Sequence, residues 1–536
     1  MTNKIALVGI NSKYIHPNMA IRILNNDMKL NDMHADIIEF STKKNQNDLV
    51  DILNEFQYIC FSVYIYNIKY IKDLLKKIKV SNPNAIIILG GPEVSYLSKD
   101  ELDNYLADYV VCGEGEKELV KLIKSLENNI VVDNTHVISI KEKIMNKKQN
   151  MVDIKYASKL TNDFHDVNLD NQIIYLETSR GCPYKCAYCQ ASLDNNLRFI
   201  PLEKVKKTIK DLMDKKAKLV KLLDRTFNFN HERINEIITY IIENDNNVTT
   251  FQLEITGELL EFSTIEIINK KARKGLFRFE IGVQSTNKEA NQAIYRYQDF
   301  DRLESIIRKI QESQKVVLHL DLIAGLPKEN LDSFKKTFNQ VFNLHPEELQ
   351  LGFLKLLKGT ELNNIIDENE YVFDKEAPYE IIQSKWLSKE DLKIIDNVEH
   401  SLNNYYNSNK AKEIILHLIN KYNLDPFFTF SILNEHNFNI NLEYNLYVML
   451  IELQIDFDSQ DRIIMYKNYY QECKTRPKPI TQILNKNEVI HQLISEYEQN
   501  KKNAFKYACV EKIEDYTYFV YMLDSYKYYI VETKDR

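Results

Sequence analysis

"FRFEIGVQS", residues 277–285, alternates Phe277, Phe279, Ile281 and Val283 with Arg278, Glu280, Gly282 and Gln284. Successive side chains of a strand face opposite sides, so the segment predicts a strand with one apolar and one charged face. Its neighbours repeat the pattern. In "TFQLEIT" (250–256) Phe251, Leu253 and Ile255 oppose Gln252, Glu254 and Thr256; in "VVLHLDLIAG" (316–325) Leu318, Leu320 and Leu322 oppose His319 and Asp321. "IIYLETS" (173–179), "KLVKLLD" (218–224) and "LQLGFLKL" (349–356) complete six strands. Helix-length stretches separate them, such as "LEKVKKTIKDLMDK", which sets Leu202, Val205, Ile209 and Leu212 on one face. Six βα units predict a parallel barrel or part of one. A lumen filled by packing alone would favour Val, Ile and Leu, so the charged faces predict a lumen that holds a polar ligand.

"YLETSRGCPYKCAYCQAS" (175–192) follows directly on the first of these strands, at the carboxyl-end rim where barrels place their chemistry. It holds Cys182, Cys186 and Cys189, three of seven cysteines. An odd number of cysteines at irregular distances does not read as a disulfide framework, and the thiols are expected to be reduced. Clustered thiolates bind zinc or iron–sulfur. Structural zinc takes four protein ligands and usually pairs two C-x-x-C knuckles. No second knuckle appears in the sequence: Cys473 and Cys509 are single and distant, while Cys60 and Cys112 lie inside apolar runs and read as core. Three thiolates would complete three irons of a [4Fe–4S] cluster and leave the fourth open as a substrate site.

The first 140 residues alternate helix-length stretches with "KIALVGI" (4–10), "ADIIEFS" (35–41), "YICFSVYI" (58–65), "AIIILGG" (85–91) and "YVVCGEGE" (109–116). This predicts an open, doubly wound parallel sheet, in which ligands bind at the carboxyl edge near a switch in strand order. The candidate edge carries Asn11, Ser12, Ser62, Gly90, Gly91, Pro92, Glu93, Gly113 and Glu114; the alternative is that these are simply turns. Residues 141–170, rich in Lys, Asn and Asp, read as a linker or lid. All 12 glycines lie at or before Gly359, which separates a glycine-punctuated α/β portion from a tail built differently. That gives expected domains at 1–140, 171–362 and 363–536. The last begins helical, ends in a small antiparallel meander over 507–533, and by position could cover the barrel mouth.

With 44% hydrophobic residues the chain of 536 can bury two or three cores. Its net charge of −7 carries no long block of one sign, so no strong nucleic-acid signature is visible. No apolar run approaches the roughly 20 residues that a membrane span needs. A cytoplasmic setting without a membrane partner is expected.

"RGCPYKCAYC" resembles the C-x3-C-x2-C signature of the radical S-adenosylmethionine (SAM) superfamily, with Tyr188 just before the last cysteine. The resemblance implies that Cys182, Cys186 and Cys189 ligate a [4Fe–4S] cluster. Its open iron would chelate SAM, and its electron would cleave the sulfonium to a 5′-deoxyadenosyl radical. "GGPEVS" and "YVVCGEGE" resemble the cobalamin-binding domain that precedes many such barrels. With "NSKYIHPNMAIR", "ETSRGCPYKCAYC", "DRTFNFN", "FEIGVQS" and "DLIAGLP", nearly the whole chain resembles B12-binding-domain radical SAM proteins that end in a domain of unknown function, DUF4080. By that resemblance Asp224 and Thr226 lie near the SAM amino group. Glu280, Gln284 and Ser285 lie near the ribose, and Ile323, Gly325 and Pro327 beside adenine. Glu254, Glu280, Gln284 and Asp321 would converge beneath the open iron. One departure stands out: cobalamin domains with a histidine ligand to cobalt use Asp-x-His-x-x-Gly, whereas here "YIHPNM" surrounds His16. His16 therefore reads as a loop histidine, and the domain either binds cobalamin without a protein ligand or keeps the fold and binds nothing.

The expected function is an enzyme that generates a radical to methylate or rearrange an unactivated carbon with the help of cobalamin. Its substrate, small molecule or macromolecule, is not named by the sequence. An electron donor such as flavodoxin or ferredoxin is implied. Two alternatives stay open. A tRNA methylthiotransferase should carry further clustered N-terminal cysteines, a need that Cys60 and Cys112 do not meet. A non-catalytic iron–sulfur protein for redox or sensing would have no use for the charged lumen.

Overall fold

A computed structural model describes residues 4–433 except 147, 161–163, 165 and 166, and after them 453, 455–471, 481, 483, 485–497 and 499–533. Cys473 lies outside the described residues. Six strands, β1 (Ile5–Asn11), β2 (Asp36–Ser41), β3 (Tyr58–Ser62), β4 (Ile86–Gly90), β5 (Tyr109–Val111) and β6 (Val137–Ser139), form a sheet in the order β2-β1-β3-β4-β5-β6. The five expected strands are parallel, and β6 adds an antiparallel edge beside β5. At three residues β6 is too short for its alternation to stand out in the sequence. Both faces are covered. Ala6, Val8, Ile10, Ile59 and Phe61 pack on one side, Ile5, Leu7, Tyr58 and Cys60 on the other, which is why these strands read as unbroken apolar runs. Cys60 and Cys112 are core residues, and burial pushes each thiol up to about 12. The order 2-1-3-4-5 puts the switch between β1 and β3.

The second sheet holds β7 (Ile174–Leu176), β10 (Leu219–Leu222), β11 (Thr250–Ile255), β12 (Phe277–Gln284), β13 (Val317–Ala324) and β14 (Glu348–Phe353), ordered β14-β13-β12-β11-β10-β7. The alternation read in the sequence is the alternation observed: Phe251, Leu253, Phe277, Phe279, Ile281 and Val283 are 0–1% exposed, and the residues between them are half-buried. β8 (Ser179–Arg180) and β9 (Arg198–Phe199) pair antiparallel and close the cysteine loop at its base. β15 (Val372–Phe373) and β16 (Ile381–Gln383) form a short ribbon.

The chain divides into two compact units, residues 1–329 with 353–388 and residues 330–352 with 389–536. The second is largely helical around an aromatic core in which Phe342 meets Tyr406 at 5.0 Å and Phe430 at 5.4 Å, and Phe338 meets Phe427 at 5.6 Å. It ends in the expected meander, β17 (Ala508–Glu514), β18 (Thr517–Met522) and β19 (Lys527–Glu532).

Residues 141–170 do more than link. They carry the helix Ile154–Leu160, and Asn150 adds a parallel bridge to Gly113, with its amide 2.9 Å from the Cys112 carbonyl. Gly113 has φ +84°, and a Cβ there would lie 2.4 Å from the Asn150 carbonyl oxygen. Glycine is therefore required by the backbone of this chain. Gly113→Ala should cost about 2–5 kcal/mol, from left-handed strain and overpacking together. The urea midpoint of the full chain measures it; an unchanged midpoint would mean that Asn150 moves aside freely.

Candidate functional site

The cysteine loop is fixed from both ends. Asp224, at the end of β10 and 2% exposed, accepts hydrogen bonds from the Thr178 amide (3.0 Å), the Thr178 hydroxyl (2.7 Å) and the Ser179 hydroxyl (2.5 Å). Beyond β8, Gly181 adopts φ +87° with the Asn196 carbonyl 2.5 Å from where a Cβ would stand. The Cys182 amide donates to Asp194 O at 2.8 Å and the Ala187 amide to Ile294 O at 2.9 Å. Cys182 and Cys186 are buried and Cys189 is half-buried. Cys182 Sγ lies 3.6 Å from Thr226 Oγ1, and the Arg296 guanidinium, hydrogen bonded to Gly282 O, draws the Cys186 thiol down against the effect of its burial. Burial pushes the Cys186 and Cys189 thiols up, so a metal would displace their protons on binding.

Among the described residues, the one group of three or more His, Cys, Asp or Glu whose ligand atoms all lie within 4.8 Å of one another is Asp396, Glu399 and His400. At least one pair of the three thiols is therefore more than 4.8 Å apart, wider than the sulfurs of a single zinc, which at about 2.3 Å from the metal are at most about 4.6 Å apart. A three-thiol set spread in this way fits a polynuclear iron–sulfur cluster.

Below the rim, Lys221 on β10 reaches Glu280 at 2.8 Å and Glu254 at 3.5 Å, and Gln252 donates to Glu280 at 2.8 Å. Burial works to raise the Glu280 carboxyl, but Lys221 and Gln252 hold it below the ordinary value. Burial dominates at Glu254 and pushes its carboxyl up. His319 and Asp321 form a further pair, 3.0 Å apart.

The carboxyl edge of the first sheet opens on a cavity of about 480 Å³. Ser62, Gly90, Gly91 and Gly113 line it from the sheet, Met19 and Leu24 supply apolar surface, and Ser179, Arg180 and Gly181 bring in the base of the cysteine loop. Mixed apolar surface and polar edges in one wide space fit a large planar group with hydrogen-bonding side arms, as a corrin is.

Three family profiles match the chain: B12 binding domain over residues 5–123, radical SAM superfamily over 176–341, and a protein family of unknown function, DUF4080, over 367–530. This is a B12-binding-domain radical SAM protein. Among solved structures, the radical SAM methyltransferase TsrM of Kitasatospora setae, with cobalamin and a [4Fe–4S] cluster bound, superposes with a TM-score of 0.57 at 15% identity over 69% of this chain and 75% of that one. The cobalamin-dependent SAM radical enzyme OxsB gives 0.61 at 14% identity, over 88% and 78%. Hopanoid C-3 methylase of Methylococcus capsulatus is 30% identical over 142 residues, 25% of this chain and 27% of the relative. The chain spans about a quarter of the length of the first curated relatives it matches.

The radical SAM domain gathers some of the expected residues and redirects others. Thr226 stands at Cys182, Tyr188 is half-buried beside Arg296, and Glu254 and Glu280 face the lumen. Gln284 ends β12 at φ +66°, at a break in register that turns it over Gly282; Ile323 is half-buried, and Gly325 lies under Ile381. Several of the others have partners within the fold. The oxygens of Asp224 are taken by Thr178 and Ser179. Ser285 is 0% exposed and donates to Glu329 at 2.5 Å, so it braces the end of β12 instead of facing the lumen. Asn11 and Ser12 do not line the cavity, because the Asn11 amide is spent on Glu39 at 2.8 Å. Gly113 is small for Asn150, and not only for a ligand. His16, also outside the cavity lining, rests with Nδ1 2.6 Å from the Tyr175 hydroxyl.

Sequence reading missed Lys221, Arg180, Arg296 and also Arg225, which lies 3.9 Å from Glu254. A lysine inside the otherwise apolar "KLVKLLD" is the one signal that could have marked Lys221. Lys221→Met would leave Glu280 without its cation and Glu254 with only the longer Arg225 contact at 3.9 Å. At about pH 8 the loss should be about 3–5 kcal/mol. Both carboxyls would then titrate above their unfolded values, so stability is kept at low pH and lost as pH rises through the raised values. The deficit should therefore be smaller at about pH 5 than at about pH 8. Urea midpoints at the two pH values check this; equal deficits would contradict it.

Proposed function

We propose that the protein reductively cleaves SAM at a [4Fe–4S] cluster held by Cys182, Cys186 and Cys189, and turns the radical on an unactivated carbon with cobalamin as partner in methylation or rearrangement. The observation that carries this reading is the shared wall: one cavity touches the carboxyl edge of the B12-binding sheet and, through Ser179 to Gly181, the start of the cysteine loop. When bound, the cluster supplies an electron to the SAM sulfonium and cobalamin supplies a transferable methyl group. The chain's part is to hold and orient. Thr226 places its hydroxyl 3.6 Å from the Cys182 sulfur and Arg296 brings a positive charge to Cys186, which tunes how readily a cluster there gives up an electron.

Glu280 is offered to the ribose as a carboxylate already balanced by Lys221, with Gln284, Ile323 and Gly325 along the adenosine. The methyl-transfer branch is favoured by the relatives, a hopanoid methylase and a cobalamin-bound methyltransferase among them. A flavodoxin or ferredoxin would deliver the electron. Among the described residues no helix is long and apolar enough to cross a membrane, which accords with a cytoplasmic enzyme.

Anaerobically purified protein under strong reduction should form 5′-deoxyadenosine from SAM slowly without any substrate, and Cys189→Ala should abolish this. Liquid chromatography of the reaction decides it. No product from protein carrying about four irons per chain would overturn the reading.

A further inference from the structure

Arg180 precedes the cysteine loop by one residue, yet its guanidinium is held by the B12-binding domain as much as by the barrel. Its side chain is 9% exposed and meets Glu114 at 3.4 Å, Glu116 at 2.7 Å and Glu177 at 2.9 Å. Glu114 and Glu116 belong to the loop after β5 that lines the cavity, and Glu177 follows β7. A second guanidinium repeats the link: Arg198 meets Glu114 and Asp194, each at 2.6 Å, and the Asp194 carbonyl accepts the Cys182 amide.

None of these groups can drift alone. Gly113 is wedged on Asn150, Gly181 on Asn196, Ser179 is bound by Asp224, and the Glu114 carboxylate accepts the Val152 amide at 2.6 Å. Breaking a buried ion pair leaves an uncompensated charge, so the cluster of four carboxylates and two guanidiniums keeps or loses its arrangement as a unit. Glu114, Glu116 and Arg180 line the cavity that a ligand would enter. A cluster on the thiols would add a further fixed point at Cys182, two residues beyond Arg180.

We propose that Arg180 is a positioning residue that couples the two sites, so that cobalamin in the cavity and a cluster on the cysteine loop each strengthen the binding of the other. The inference rests on the cobalamin reading given above. Ordering one wall meets part of the ordering cost of the other, and the coupling must be the same in both directions.

The test is a titration of the full-length protein with hydroxocobalamin, read by visible absorbance without oxygen. It is made with the cluster loaded, after iron removal by chelator, and after reloading. Affinity should be about 5- to 150-fold tighter with the cluster present, the usual span of coupling between two sites. Glu116→Gln, which keeps the shape and removes one charge, should bring the ratio close to one. So should Arg180→Lys, which keeps the charge and loses the fork. Lys79→Met, which breaks the Lys79–Asp108 pair at the other end of β5, controls for general loosening and should keep the wild-type ratio. Equal affinities with and without the cluster in the wild type would overturn the coupling and leave the cobalamin site standing, as would a wild-type ratio in both variants. No binding at tens of micromolar would overturn the cobalamin reading itself.

Discussion

The buried carboxylate of Asp224 is the contact on which the rim depends. A charge taken out of water is tolerated only where hydrogen bonds replace the lost solvent, and here three do, all from Thr178 and Ser179. They tie the end of β10 to the chain that leaves β7, so the residues next in line, Arg180, Gly181 and Cys182, leave the barrel in one direction. Burial raises the Asp224 carboxyl against those hydrogen bonds, a sign of how far the site is removed from solvent. The sequence "DRTFNFN" thereby does two jobs at once: its aspartate anchors the loop, and two positions on its threonine meets the first cysteine.

The lumen follows the same rule with opposite charges. Lys221 sits between Glu254 and Glu280, so one cation offsets the repulsion between two carboxyl groups in a half-buried space. A ligand entering there meets paired groups whose hydrogen-bonding capacity is only partly used, a setting suited to hydroxyls and amines. Above it, the cavity at the sheet edge shares its wall with the cysteine loop. The two halves of the first unit are joined by buried ion pairs where a ligand of either half would touch them.

The strands were legible because each obeys a local rule. Alternation in 250–256, 277–285 and 316–325 follows from the geometry of each single strand, and continuous apolar runs before residue 116 follow from burial on both faces. The cysteines were legible because three thiols within eight residues have few chemical uses. What stayed hidden depends on register between segments far apart in the chain. Asp224 and Ser285 have the residue type of ligand-binding groups, and only the placement of Thr178, Ser179 and Glu329 shows that they also brace the fold. Gly113 looked small for a ligand until Asn150, 37 positions later, proved to lie against it. Arg180 stood next to the motif and carried no signal, since its partners Glu114 and Glu116 come from another domain.

The central claim is that the three cysteines hold a cluster with one iron left open for SAM. Low-temperature EPR of the reduced, iron-loaded protein, recorded with and without saturating SAM, tests it most directly. The account predicts a reduced-cluster signal whose g values move when SAM is added, because a new ligand reaches one iron. A signal of full intensity that saturating SAM leaves unchanged would contradict it.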